Sequence, residues 1–117
     1  MDTRETIEAY FADLGAGGDW QRRFAGDVVF VSHGTPAKRV EGLGAFLEST
    51  RGFYGMIDGV ELIDLLVDGR AACALTRYRL RPPVGDPFTS EIAEVLTVSD
   101  GGIDSLAIYF DSAPYPS

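Results

Sequence analysis

The chain is poor in the residues from which many sites are built. Its 117 residues hold one cysteine, Cys73, and one histidine, His33. A lone cysteine excludes an internal disulfide and a cysteine-built metal centre. Its apolar surroundings favour a small buried residue over a nucleophile. With one histidine and no clustered aspartates there is no metal-ligand set, and no metal or other cofactor is expected. A phosphate loop is missing too, since Gly15-Ala16-Gly17-Gly18 follows a helix pattern and lacks the GxGxxG spacing. No apolar run is long enough to span a bilayer, and Met1-Asp2-Thr3-Arg4-Glu5 is unlike a secretory signal. The expected location is cytoplasmic, with no membrane partner. Positive charge is also scarce. A net charge of −8 repels a phosphate backbone over most of the surface, so no nucleic-acid partner is expected. Arg77, Arg79 and Arg81 alternate and read as one solvated strand face.

What is present suits a single domain over 1–117, with 45% hydrophobic residues to build a core. Asp2 or Thr3 can cap a first helix whose apolar stripe is Ile7, Tyr10, Phe11 and Leu14. Asp19 caps a short second helix carrying Trp20, Arg23 and Phe24. A strand over 27–33 is broken by Gly34-Thr35-Pro36, and a third helix over 43–54 turns Phe46, Leu47 and Thr50 to the core. From Val60 onward the pattern is β. Segments 60–67 and 70–81 flank Asp68-Gly69, a hairpin signal; 88–98 and 103–111 follow, and the tail from Ser112 to Ser117 cannot continue the sheet. Helices first and a strand meander afterwards make an α+β fold.

One strand carries a misplaced charge. In Ser90-Glu91-Ile92-Ala93-Glu94-Val95-Leu96-Thr97-Val98, alternation puts Glu94 on the apolar face with Ile92, Leu96 and Val98. An unpaired buried carboxylate is costly, so that face is solvated, hydrogen-bonded or built around a cavity. Pairing Val67 with Arg70 sets Ile63 opposite Ala74 and Glu61 opposite Thr76. Across the wider turn, Thr76 falls opposite Glu94 and Tyr78 opposite Ile92, to within one register step. Ala72, Ala74, Thr76, Tyr78 and Leu80 thus share the face of Glu94, with Leu106, Ile108 and Phe110 as the inward set of the last strand. The result is an apolar concave face with a few polar groups, as in ligand cavities. The opposite face keeps Leu62, Leu66, Leu75, Val95, Ala107 and Tyr109 among its charges. Helices cover one face only, so a second copy in a homodimer is expected on the other.

In order and spacing, "YFADLGAGGDW", "FAGDVVFVSHG", "VEGLGAFLE" and "EVLTVSDGGIDSLAIYFD" resemble the SnoaL-like branch of the nuclear transport factor 2-like superfamily, over 6–111. The resemblance implies a cone: a curved antiparallel sheet wrapped around N-terminal helices, with a deep apolar pocket and commonly a homodimer. It also implies a range of functions, from ketosteroid isomerases, epoxide hydrolases and polyketide cyclases to proteins that only bind or scaffold. Against the isomerase pattern, the general base falls at Ser32 or His33, the oxyanion tyrosine at Phe11 beside Tyr10, and the supporting tyrosine at Phe24. Glu94 alone matches, at the second oxyanion acid. The Asp–Arg–Asp set of the hydrolases is absent, because Arg77 and Arg79 face outward and Ile108 takes the last-strand position. Cyclases of this family carry a late acid/base carboxylate, for which Asp111 is a candidate.

The candidate catalytic residues are Glu94, His33 and Asp111. Candidate substrate-binding residues are Phe11, Trp20, Phe24, Phe30, Ser32, Phe53, Tyr54, Thr76, Tyr78, Ile92, Ile108 and Phe110. Glu94 among apolar neighbours has a raised pKa if buried, by up to about 3–5 units, or else is a structural carboxylate satisfied by Thr76 or Tyr78. His33 is either an acid/base or a solvated strand end, and Asp111 either a carboxylate of the site, a chain-end cap or a dimer contact. Two functions stay open. One is a cofactor-independent acid/base enzyme (isomerase, cyclase or hydrolase) for a hydrophobic small molecule such as a polyketide or terpenoid. The other is a non-catalytic binding or dimeric accessory protein with the same pocket.

Overall fold

A computed structural model of the chain describes residues 1–34 and 36–116. Thr35, within the expected break at 34–36, and Ser117, the end of the tail, lie outside the described residues. The elements are α1 (Thr3–Gly15), a 3-10 turn (Trp20–Arg23), β1 (Phe24–Ser32), β2 (Lys38–Glu41), α2 (Leu43–Met56), β3 (Ile57–Asp68), β4 (Ala71–Leu80), β5 (Phe88–Ser99) and β6 (Gly102–Phe110). Neither helix is long and apolar enough to cross a membrane.

Asp2, not Thr3, caps α1. Its carboxylate accepts from the Glu5 amide at 2.8 Å while the Glu5 carboxylate accepts from the Asp2 amide at 3.1 Å, a reciprocal box. The Thr3 hydroxyl instead donates to the Gly69 carbonyl, tying the helix to the β3–β4 turn. The short second helix is one 3-10 turn, four residues being too few for more. Phe24, expected in it, opens β1 and pairs with Ile103.

The strands lie in the order β2-β1-β6-β5-β4-β3. The curved sheet of the expected cone is present, but it is mixed, because β1 runs parallel to β6. The long connection through β2, α2 and the meander makes that pairing possible; a short turn would not. β2, unforeseen, is a four-residue edge strand whose exposed Lys38, Arg39 and Glu41 suit an edge.

Two registers differ from expectation. The β3–β4 turn is Gly69-Arg70, with Asp68 opposite Ala71 and Val67 opposite Ala72. Gly69 has φ 62°, a conformation glycine adopts without strain. A bulge between Leu62 and Asp64 then changes the parity of β3. Leu62, expected outside, packs against the core, and Ile63, expected opposite Ala74, is 45% exposed. Between β4 and β5, Glu94 faces Ala74, Thr76 faces Ile92, and Tyr78 faces Ser90. A two-residue slip preserves the face, so the buried set Ala72, Ala74, Thr76, Tyr78, Leu80 stands as expected.

α1 and α2 fill the concave side, burying Ile7, Tyr10, Phe11, Leu14 and Phe46, with α1 packed chiefly on β3 and α2 on β1. The convex side leaves Ile63, Leu66, Leu75, Val95 and Tyr109 exposed.

Candidate functional site

A cavity of about 240 Å³ remains where helix and sheet do not meet. Its sheet wall is Phe30 and Ser32 from β1, Tyr78 from β4, Ile92 and Glu94 from β5, and Leu106, Ile108 and Phe110 from β6. α2 closes the opposite side with Ser49, Thr50, Phe53 and Tyr54, while Pro36, Lys38 and Tyr115 stand at the rim. Strand alternation supplies the sheet wall, since each member sits two residues from the next.

Glu94 is 2% exposed. Its Oε2 accepts from the Tyr78 hydroxyl at 2.6 Å and from Thr76 Oγ1 at 2.8 Å. Oε1 accepts no hydrogen bond among the described residues, so one carboxyl oxygen is anchored and the other is left for a ligand. Thr76 Oγ1 also lies 3.0 Å from the Ile92 carbonyl. A hydroxyl has one proton to give, so it serves the carboxylate when Glu94 is ionised and the carbonyl when Glu94 is protonated. Burial pushes the Glu94 carboxyl up to about 7, against the pull of the two hydroxyls toward the charged form. Both forms are therefore populated near neutral pH.

Phenols surround this acid. Tyr10 and Tyr54 share a hydroxyl–hydroxyl hydrogen bond at 2.6 Å. Burial raises the pKa of Tyr10, Tyr54 and Tyr78, and the nearby charge of Glu94 adds to each. They stay neutral and act as donors. Trp20 stacks on Tyr54 at 3.9 Å and fixes its ring. Tyr115 folds back over Phe88 and Phe110, its hydroxyl donating to Ser90 Oγ at 2.7 Å.

Of the three catalytic candidates, only Glu94 lines the cavity. His33 is exposed on the convex side, its ring stacked on Tyr109 at 4.2 Å, because the inward parity belongs to Ser32. Asp111 is also exposed, and its carboxylate accepts from the Ala113 amide at 3.0 Å, capping the turn after β6. Among the binding candidates, Phe30, Ser32, Phe53, Tyr54, Tyr78, Ile92, Ile108 and Phe110 form the wall, and Thr76 stands behind Glu94. Phe11, Trp20 and Phe24 lie outside it, packed around Tyr10. Helix parity explains this: Tyr10 rather than Phe11 sends its side chain toward Tyr54. Pro36, Lys38, Ser49 and Tyr115 escaped the sequence reading. For Lys38 the signal was available, in the alternation of Lys38-Arg39-Val40-Glu41. For Tyr115 it was an aromatic residue set between two prolines. Among the described residues no three His, Cys, Asp or Glu side chains cluster to hold a metal ion.

The profile of the SnoaL-like domain matches residues 4–106. A solved protein from Kribbella flavida DSM 17836 is similar at 28% identity and a TM-score of 0.79, covering 95% of this chain and 88% of its own. A candidate SnoaL-like polyketide cyclase from Jannaschia sp. CCS1 superposes with a TM-score of 0.80 at 16% identity, covering 96% and 87%. A candidate ketosteroid isomerase, also from Kribbella flavida DSM 17836, gives 0.77 at 22% identity, covering 98% and 82%. At those identities the last two show the fold alone. No curated protein matches. Two helices and a six-stranded curled sheet define the class, an α+β cone of the nuclear transport factor 2-like kind. Within it, the chain belongs to the SnoaL-like family.

Proposed function

We propose that the protein is a cofactor-independent acid/base enzyme that moves a proton on a small, mostly apolar carbonyl compound. The observation that carries this reading is Glu94: a buried carboxyl in the cavity wall, held by Oε2, free at Oε1, and titrating near neutrality. A general base works best when its pKa lies close to the operating pH. Isomerisation needs the fewest groups. Oε1 takes a proton from the carbon next to the carbonyl, the C–H pair moves into an enolate, and the same oxygen returns the proton to a different carbon. Neutral phenol lining the cavity, such as Tyr54, suits the developing oxyanion as a donor. Hydrolysis needs a second group to position water, and the two other candidates for it, His33 and Asp111, are outside the cavity.

Size narrows the substrate. At about 240 Å³ the cavity lies below the usual range of about 300–1,000 Å³ for ligand pockets, which favours a small substrate.

Cyclohex-3-enone, whose conversion to the conjugated isomer requires this proton transfer, is a suitable probe. Wild-type protein is expected to catalyse it, and Glu94→Gln to lose about 10²–10⁴ in turnover with little change in affinity. Undiminished turnover in Glu94→Gln would contradict the assignment. A second reading draws on the isolation of Glu94: with no other carboxyl or imidazole in the wall among the described residues, the pocket binds without chemistry and protonated Glu94 donates to a ligand oxygen. Binding of the ketone without turnover in the wild type would favour it. The reading also includes a homodimer through the convex face, where exposed Leu75, Val95 and Tyr109 lie beside Arg77, itself paired with Glu61 and Glu91. Such a face carries both signs of charge and can meet a copy of itself.

A further inference from the structure

The chain has a single lysine, Lys38, and it lies at the rim of the cavity. Eight of the nine arginines pair with carboxylates or lie beside one, as Arg39 does with Glu41 at 2.9 Å. Among the described residues the lysine and arginine side chains without such a partner are Arg79, on the convex side of β4, and Lys38. An edge-strand lysine also blocks sheet-to-sheet pairing, but that role asks only for exposure. Lys38 pairs with Ser32 and Val40 with Phe30, and both β1 partners face the cavity. Alternation therefore sets Lys38 on the cavity side and Arg39 on the other. From α2, Ser49 adds a hydroxyl that is sealed from solvent and has no hydrogen-bond partner, the one buried side-chain polar atom so placed among the described residues. An unpaired buried hydroxyl is unfavourable, and a ligand oxygen in the cavity can relieve it.

Resting on the reading of the cavity as a ligand site, we infer that the ligand is a small organic anion: an apolar body with a carboxylate that Lys38 holds at the rim. The charge pattern fixes this polarity. In a chain of net charge −8 an anion is repelled over most of the surface, and Glu94, partly ionised, repels one from the cavity floor. The rim at Lys38 is the place in the cavity where a carboxylate meets a free cation. Phe30, Phe53 and Ile108 then take the apolar body, and the reacting carbon points inward to Oε1 of Glu94.

Calorimetric titration of wild-type protein at neutral pH with 3-phenylpropionate and with its neutral amide, 3-phenylpropionamide, tests the inference. The carboxylate is expected to bind about tenfold tighter or more, with a preference that shrinks as salt is added. Lys38→Gln is expected to bring the carboxylate down to the affinity of the amide, and Lys38→Arg to keep the preference. Lys38 is exposed, so neither change threatens the fold. Equal binding of the two probes by the wild type, or a preference that survives in Lys38→Gln, would overturn the anionic ligand and leave the cavity reading standing. Binding of neither probe would overturn both.

Discussion

Glu94 is held by two hydroxyls, both of which favour its ionised form, yet burial outweighs them and keeps the proton to about pH 7. Removing one hydroxyl moves the balance further. In Tyr78→Phe the carboxyl is expected to titrate higher than in the wild type, followed by carbon NMR of the Glu94 side chain; a lower value would contradict the assigned role of Tyr78. The position of Glu94 was legible because alternation over nine residues leaves a mid-strand side chain only two directions. Thr76 and Tyr78 were legible as its face-mates for the same reason. The exposure of His33 and Asp111 follows the same alternation, each being the neighbour of an inward residue, Ser32 and Phe110. Phe11 and Tyr10 show the limit of such a reading in a helix. Both belong to the apolar stripe, and which of them reaches Tyr54 depends on how the helix is rotated against the sheet.

At the scale of elements, long strands were readable from alternation and short ones were not. β2 has four residues and opens with the edge-type charges Lys38 and Arg39, so it resembled a loop. The bulge at Ile63 is invisible to a period-two pattern because Leu62, Ile63, Leu65 and Leu66 supply an apolar side chain for either parity. The link after β1 has a tight packing constraint of its own. A Cβ on Gly34 would lie 2.5 and 2.8 Å from atoms of the Phe110 ring, which forms cavity wall and carries Tyr115. Gly34→Ala is expected to fold, to lose about 1–3 kcal/mol through overpacking, and to bind cavity ligands more weakly as the ring moves. Unchanged ligand affinity together with unchanged stability would show that the ring yields freely.

For the whole molecule, a sheet apolar on both faces with helices on one leaves the convex side uncovered, and the proposed homodimer would cover it with a second copy. Sedimentation at micromolar concentration is expected to show a dimer, and Leu75→Glu, which sets charge in the middle of that face, a monomer. A monomeric wild type would leave the exposed Leu66, Leu75 and Val95 unexplained. The acid in the cavity has its own whole-molecule signature. Below its unfolded pKa of 4.5, Glu94 is protonated in both the folded and the unfolded chain. Between 4.5 and about 7 the folded chain keeps the proton that the unfolded chain releases, so stability falls as pH rises. Above about 7 both are ionised and the loss is complete, amounting to about 3 kcal/mol. Glu94→Gln has no such proton to hold. Urea unfolding of wild type and Glu94→Gln at one protein concentration, from pH 4.5 to 8, reads this difference directly. The wild type is expected to lose about 3 kcal/mol relative to the variant across that range; stability curves that stay parallel would mean that Glu94 is an ordinary carboxylate and that the cavity has no neutral-pH acid.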